Sequence, residues 1–172
     1  MSLKLRLAQP QDIPQLVAVE RSAAQLFRQQ PELQFIAEGE VMSPQQHVDF
    51  IEQQQEWVMA SPTEQIAGFI AVQPFSHSWH IAELSVAADW QRQGVGKRLI
   101  EEIAGLALHQ GIQRLTLTTF VQVAWNAPYY QRLGFRTLPV ARLDAYLQHL
   151  LAQEVEHGFA ANSRCAMEFT LS

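Results

Sequence analysis

The chain has a single cysteine, Cys165, so no intrachain disulfide framework holds it together. It has no apolar run near the ~18 residues that a membrane-spanning helix requires, and no membrane partner is expected. Basic residues are scarce, 12 Lys and Arg against 17 Asp and Glu, and they form no cluster. Non-specific nucleic-acid binding depends on neutralising many phosphates, so a net charge of −5 argues against a nucleic-acid partner. The same acidity suits a cationic ligand, although it also serves solubility alone. No repeat, linker or low-complexity tract interrupts the sequence. Met1-Ser2-Leu3-Lys4-Leu5-Arg6 alternates like a strand and lacks the apolar centre of a signal peptide, which makes a cytoplasmic location the expectation. His77 and His80 lack a third ligand at metal spacing, so no metal is expected. Cys165, beside Ala166 and Met167 and with no histidine placed next to it, reads as a small core residue rather than a nucleophile.

What is present fits one domain over residues 1–172, a size at which roughly 70% of the unfolded surface can be buried. Leu3, Leu5 and Leu7 alternate with Lys4 and Arg6, predicting a first strand with one buried face. Pro10-Gln11-Asp12 opens a helix carrying Ile13, Leu16, Val17, Val19 or Glu20, Ala23 and Phe27 at helical spacing, with Pro14 in the first turn. Residues 31–43 read as irregular, and Ser43-Pro44 as the cap and first residue of a short helix to Gln54. Strands are expected at 56–60 and 66–72, around a Ser61-Pro62-Thr63-Glu64 turn, with Pro74 ending the second. Further strands are expected at 79–86, 114–120, 135–140 and 164–171, and helices at 94–109, 127–133 and 143–156. The order predicts a mixed α/β sheet with helices on both faces. Trp57, Trp79, Trp90 and Trp125 are expected to pack, with Trp90 and Trp125 able to border a cleft.

The strongest local signal is Gln91-Arg92-Gln93-Gly94-Val95-Gly96, set between a strand and a helix whose Val95, Leu99, Ile100, Ile103, Leu106 and Ala107 recur at helical spacing. The first amides of a helix have no intrahelical partner and carry the positive end of its dipole, so such a turn suits a phosphate. Glycines at 94 and 96 keep Cβ atoms out of the approach. A dinucleotide fingerprint is excluded because Leu99 stands where its third glycine belongs. A P-loop is excluded because Gln91 replaces its first glycine and Arg98 its Ser or Thr.

Gln91-x-x-Gly94-x-Gly96 resembles instead the pyrophosphate loop of the GNAT superfamily of CoA-dependent N-acyltransferases. Tyr130-Gln131-Arg132-Leu133-Gly134-Phe135 is similar to that superfamily's second signature, Tyr-x-x-x-Gly-Phe, and the resemblance in element order runs from about residue 3 to 171. It implies a mostly antiparallel central sheet with splayed central strands, acetyl-CoA as cosubstrate, and direct attack by an amine in a ternary complex. By the same resemblance, the backbone of Leu84, Ser85 and Val86 pairs with the pantetheine arm, and one of its N–H groups polarises the acetyl carbonyl. The amides from Gln91 through Arg92, Gln93, Gly94, Val95, Gly96 and Lys97 meet the diphosphate, with Lys97 or Arg98 adding charge. Tyr130 is the candidate acid for the leaving thiolate; it also reads as an aromatic anchor, with Tyr129 the fallback. Many members carry asparagine seven residues before that tyrosine. Val123 stands there, leaving Asn126 as CoA ligand, helix cap or both.

Glu83 is the candidate base. It lies within an apolar strand and shares a face with Ile81 and Ser85, and partial burial would raise its pKa toward that of a working base. Its alternative is a structural glutamate paired with Arg6 or Arg114. The expected activity is acetyl transfer to a primary amine of a small molecule, by a monomer or homodimer. The alternatives are a protein N-terminal or lysine acetyltransferase and a CoA-binding module without catalysis.

Overall fold

The structure is a computed structural model, and it describes residues 2–34, 41–123, 125–160 and 162–171. Among the described residues, seven strands follow the order β1-β2-β3-β4-β5-β7-β6. They are β1 (Lys4–Leu7), β2 (Glu56–Ala60), β3 (Ile66–Phe75), β4 (Ser78–Val86), β5 (Arg114–Phe120), β6 (Arg136–Thr137) and β7 (Arg164–Thr170). The ladders β1–β2, β2–β3, β5–β7 and β6–β7 are antiparallel. The β4–β5 ladder is parallel and runs Ser78↔Arg114, Trp79↔Leu115, His80↔Thr116. Among the described residues the helices are α1 (Ile13–Ala24), α2 (Pro44–Glu52), α3 (Val95–His109), α4 (Ala127–Arg132) and α5 (Ala145–Glu156). The result is the mixed, mostly antiparallel α/β sheet that the sequence predicts.

The chain forms two compact units, Met1–Gln73 with Ile81–Gly105, and Pro74–His80 with Leu106–Ser172. In the first, Leu16 and Val19 of α1 pack with Ala8, Val58, Ala60, Ile66 and Phe69. Every residue of β2 is buried, as is β3 from Ile66 to Val72, and apart from Glu56 both read as continuous apolar runs. The turn between them closes when the Glu64 amide donates to the Ser61 carbonyl at 2.9 Å and Glu64 takes φ +65°. In the second unit, Leu138, Leu147 and Ala166 pack with Leu143, Tyr146 and Leu151.

Capping explains several boundaries. Ser43 Oγ accepts from the Gln46 amide at 3.1 Å while Gln46 Oε1 accepts from the Ser43 amide at 2.8 Å, a reciprocal box that starts α2 behind Pro44. Gly111, at φ +80°, ends α3 in the left-handed region.

Other expectations are corrected. In β1, Leu7 is exposed and Leu5 only half-buried, because β1 is an edge strand paired with β2 alone. Helix α1 stops at Ala24 and tightens into a 3-10 turn, Gln25–Gln29, which carries Phe27. Pro31–Leu33 is a further 3-10 turn inside the stretch read as irregular, and residues 35–40 of that stretch lie outside those described. Strand β3 passes Pro74 and ends at Phe75; its ladder with β2 closes at Ala71, so the missing N–H costs no bond there. Leu106 is exposed, and Ala107 continues the buried stripe of α3. The strand expected at 135–140 shrinks to Arg136–Thr137, because Pro139 has no amide to extend the ladder and caps a 3-10 turn, Val140–Arg142.

Candidate active site

The turn that opens α3 is built from local bonds. After β4 a 3-10 turn, Ala88–Trp90, brings the chain round, and the Gln91 side chain donates to the Val86 carbonyl at 3.1 Å. Gln91 thus ties the turn to the end of β4. Arg92 and Gly94 take φ +62° and +79°, and α3 begins at Val95. A Cβ at Gly94 would meet nothing within 4 Å, so the glycine there answers to conformation, with open space in front of it. The Gly94 carbonyl accepts from the Arg98 amide at 3.0 Å, closing the first helical turn. By helix geometry the amides of Val95, Gly96 and Lys97 precede the first intrahelical donor. A cavity of about 470 Å³ adjoins the turn and is lined in part by Trp90, Gln93, Gly94, Val95 and Arg98. Lys97 and Arg98 are exposed and lie 3.7 and 3.3 Å from Glu101 and Glu102, one turn further on.

Gly68 of β3 positions this turn, and the sequence reading missed it. A Cβ there would lie 2.8 Å from the Ser85 carbonyl oxygen, 3.2 Å from Val95 Cγ1 and 3.3 Å from Leu99 Cδ1. Only a residue without a side chain lets β3 take both β4 and the first turn of α3 at this distance. The signal was a lone glycine inside an otherwise apolar strand.

Glu83 is half-buried on β4, on the face it shares with Ser85: Ser85 Oγ donates to Glu83 Oε1 at 3.0 Å. Ser85 is itself buried, while Leu84 and Val86 are half-buried. The arginines considered as partners are engaged elsewhere. Arg6 donates to Asp12 at 2.7 and 3.0 Å and to Glu64 at 2.8 Å. Arg114 donates to Ser78 at 2.8 Å, to Glu168 at 3.0 Å and to Asp144. Glu20 of α1, which the sequence reading named only as a position at helical spacing, acts electrostatically on the same region. Glu20 Oε1 also accepts from the Met42 amide at 3.0 Å. Burial pushes the Glu20 carboxyl above the ordinary carboxylate range and the nearby Glu56 adds to this, while Met42, His47 and Glu83 pull it back only in part.

Close to Glu20 lies a fully buried pair: His47 Nδ1 is 2.8 Å from Glu56 Oε2, and both side chains are completely covered. Burial raises the Glu56 pKa against the opposing pull of His47. His47 Nε2 and Glu56 Oε1 have no hydrogen-bond partner among the described residues.

In the second unit, Tyr130 is half-buried on α4, with its ring edge-on to Tyr129 at 5.3 Å and to Phe135 at 5.6 Å. The second signature is thereby explained residue by residue. Phe135 is buried against Phe169, with centroids 5.4 Å apart. Gly134 takes φ +108°, and a Cβ there would lie 2.9 Å from the Phe169 ring. Burial raises the Tyr129 phenol above its ordinary range, against the pull of Arg132. Asn126 precedes α4, but its side chain does not cap it: Oδ1 accepts from Thr119 Oγ1 at 2.5 Å and from the Phe120 amide at 3.4 Å. The cap reading is corrected, because β5 offers that oxygen two donors. Val123 is buried.

Other sequence signals have ordinary structural places. His80 is buried with Nδ1 2.9 Å from Thr116 Oγ1, and burial lowers its pKa to about 4, so it is a neutral imidazole at neutral pH. Cys165 is half-buried, and burial raises its thiol pKa, which suits an inert residue. Trp57 and Trp79 are buried.

Comparisons with known proteins agree with this geometry. The acetyltransferase (GNAT) family profile matches residues 21–135. The fold is similar to that of the PaiA N-acetyltransferase from Thermoplasma acidophilum in complex with coenzyme A, at 17% identity and TM-score 0.73, over 99% of each chain. It is similar to the ribosomal-protein-S18-alanine N-acetyltransferase from Escherichia coli, at 16% identity and TM-score 0.69, over 99% of this chain and 95% of that one. It also resembles N-acetylglutamate synthase from Neisseria gonorrhoeae complexed with coenzyme A and N-acetyl-glutamate, at 19% identity and TM-score 0.73, where 100% of this chain covers 36% of that one.

Proposed function

Because the chain belongs to the acetyltransferase (GNAT) family and is therefore an acyltransferase, we propose that it moves an acetyl group from acetyl-CoA to a primary amine of a small molecule. The observation that carries the reading is the turn at 91–96. Its left-handed Gly94 faces open space, and it leads into a helix whose first amides lack intrahelical partners. Those features fit a diphosphate. The amides from Gln91 to Lys97 would hold it, with Arg98 beside them, and the backbone of Leu84, Ser85 and Val86 would take the pantetheine arm as an added strand.

The chemistry asks three things of the protein: a deprotonated amine, a polarised thioester carbonyl and a protonated leaving thiolate. Acetyl-CoA supplies the activated acyl group. Glu83 takes the proton from the acceptor ammonium, directly or through a water. A backbone N–H of the Leu84–Val86 stretch polarises the carbonyl, and Tyr130 supplies the proton to sulfur. Asn126 keeps its assignment as a CoA contact through its side-chain NH2 group, since Thr119 and Phe120 engage its oxygen. The half-buried carboxyls of Glu20 and Glu83 favour a cationic acceptor.

A protein α-amine is the second reading, because one similar fold acts on a ribosomal-protein alanine. Thiol release from acetyl-CoA, measured over polyamines, amino acids, aminoglycosides and peptides, separates the readings by which acceptor supports turnover. Glu83→Gln and Tyr130→Phe are each expected to slow that turnover while sparing acetyl-CoA binding. A rise in Tm with acetyl-CoA, and no acceptor modified anywhere in the panel, would leave a binding module without catalysis.

A further inference from the structure

We infer that Asn126 is a positioning residue for Tyr130: its side chain fastens the start of α4 to β5 and so fixes where the phenol stands. The inference rests on Tyr130 as the acid of the proposed reaction and adds the group that places it. Helix α4 has six residues, and a helix that short holds no shape in water without tertiary anchors. The structure gives it one at each end. At the start, Asn126 Oδ1 accepts from Thr119 Oγ1 at 2.5 Å and from the Phe120 amide at 3.4 Å. The Asn126 carbonyl in turn accepts from the Tyr130 amide at 3.0 Å, so one residue joins β5 to the backbone of Tyr130. At the far end, the Tyr130 carbonyl accepts from the Leu133 and Phe135 amides at 3.1 and 3.0 Å. The Phe135 ring is buried against Phe169 of β7. Strands β5 and β7 are neighbours, with Leu115 opposite Phe169 and Thr119 opposite Cys165. Tyr130 is therefore held between two paired strands, its amide tied toward one and its carbonyl toward the other.

Asn126 takes φ −118° and ψ −115°, and its side chain turns to the sheet instead of capping the amides of α4. A cap would steady the helix alone, whereas a bond to β5 steadies the helix against the sheet. Thr119 is buried, so water does not compete for that bond. The consequence falls on the proton transfer. Tyr130 gives its phenolic proton to sulfur as the C–S bond breaks, which leaves a thiol and a phenolate. The phenolate recovers a proton from the nitrogen of the new amide. Both transfers need the phenol within hydrogen-bond reach, and a misplacement of about 1 Å can cost roughly 100-fold in rate.

The test is a double-mutant cycle of Thr119→Val and Tyr130→Phe, read in kcat with one primary amine at saturating acetyl-CoA. Thr119→Val keeps the side-chain shape, removes the donor to Asn126 Oδ1 and leaves the Asn126 NH2 group untouched. It is expected to lower kcat about ten-fold, with KM for acetyl-CoA unchanged, and to cost nothing further in the Tyr130→Phe background. Thr119→Ser, which keeps the hydroxyl, should recover most of the loss. Asn126→Ala enters the same cycle as a second variant and should behave as Thr119→Val does in kcat. Equal losses with and without the Tyr130 hydroxyl overturn the inference, because the contact then serves the fold at large. An unchanged kcat in Thr119→Val overturns it while leaving the acid standing. Full turnover in Tyr130→Phe removes the acid itself. Carbon-13 NMR of the tyrosine Cζ atoms gives a reading free of activity. The Tyr130 resonance should move in Thr119→Val, and an unmoved resonance overturns the inference even in a variant without turnover.

Discussion

Replacing Gly68 by alanine would put a Cβ 2.8 Å from the Ser85 carbonyl oxygen, closer than folded proteins tolerate, and 3.2 and 3.3 Å from Val95 Cγ1 and Leu99 Cδ1. Two of the three neighbours could give by a few tenths of an ångström, but the carbonyl is backbone of β4 and cannot rotate away. Overpacking of this kind costs about 1–3 kcal/mol. Alanine also restricts the unfolded chain, which offsets roughly 0.4–1 kcal/mol. The net loss is therefore about 1–2 kcal/mol, and for a chain of this size that lowers Tm by roughly 2–8 °C. The strain falls between β4 and the first turn of α3, so it also disturbs the amides assigned to the diphosphate. Thermal melts with and without saturating acetyl-CoA measure both effects. The free protein should melt lower, and the rise on adding acetyl-CoA should shrink. An unchanged or higher Tm in Gly68→Ala would refute the packing argument, and an unchanged ligand response would separate that packing from the phosphate turn.

Three further predictions use other parts of the structure. Gly94→Asn should bind acetyl-CoA nearly as well as wild type and Gly94→Val much more weakly, because asparagine accepts φ +79° and a β-branched residue does not; isothermal titration compares them. His80 should stay neutral until about pH 4, seen by NMR of its imidazole. Its depressed pKa means that its contribution to stability is complete above the ordinary value of 6.5 and is lost as pH falls toward 4. Asn126→Ala should lower stability by about 1–2 kcal/mol in a urea melt, because it frees the Thr119 hydroxyl and the Phe120 amide; an unchanged midpoint would show that those bonds carry nothing.

How far the sequence was legible follows from where each signal lies. Strands β2 and β5 match their expected bounds because turn residues bracket them, Ser61 to Glu64 after the first and Gly111 ahead of the second. The Ser43 cap was readable because its box spans only four residues. Errors arose where a neighbour distant in sequence decided the outcome. Asn126 looked like a cap until β5 offered it two donors. The strand expected at 135–140 had the right composition, but Pro139 stopped its ladder after two paired residues. Gly68 carries no local pattern of its own. It matters through the Ser85 carbonyl, a contact that exists only once β3 and β4 have packed. Of the candidate site, the phosphate turn and the second signature were visible as motifs, because glycine conformation is written locally. The burial of Glu83 was not, because tertiary packing decides how far a carboxyl is covered.

The most direct measurement follows an isotopic label from the acetyl group of acetyl-CoA by mass spectrometry, with a mixture of small primary amines as acceptors. The label should arrive on an amine nitrogen of one of those molecules, at a rate that falls sharply in Glu83→Gln. Label recovered only as free acetate, or fixed to the protein itself, would contradict transfer to a small-molecule amine.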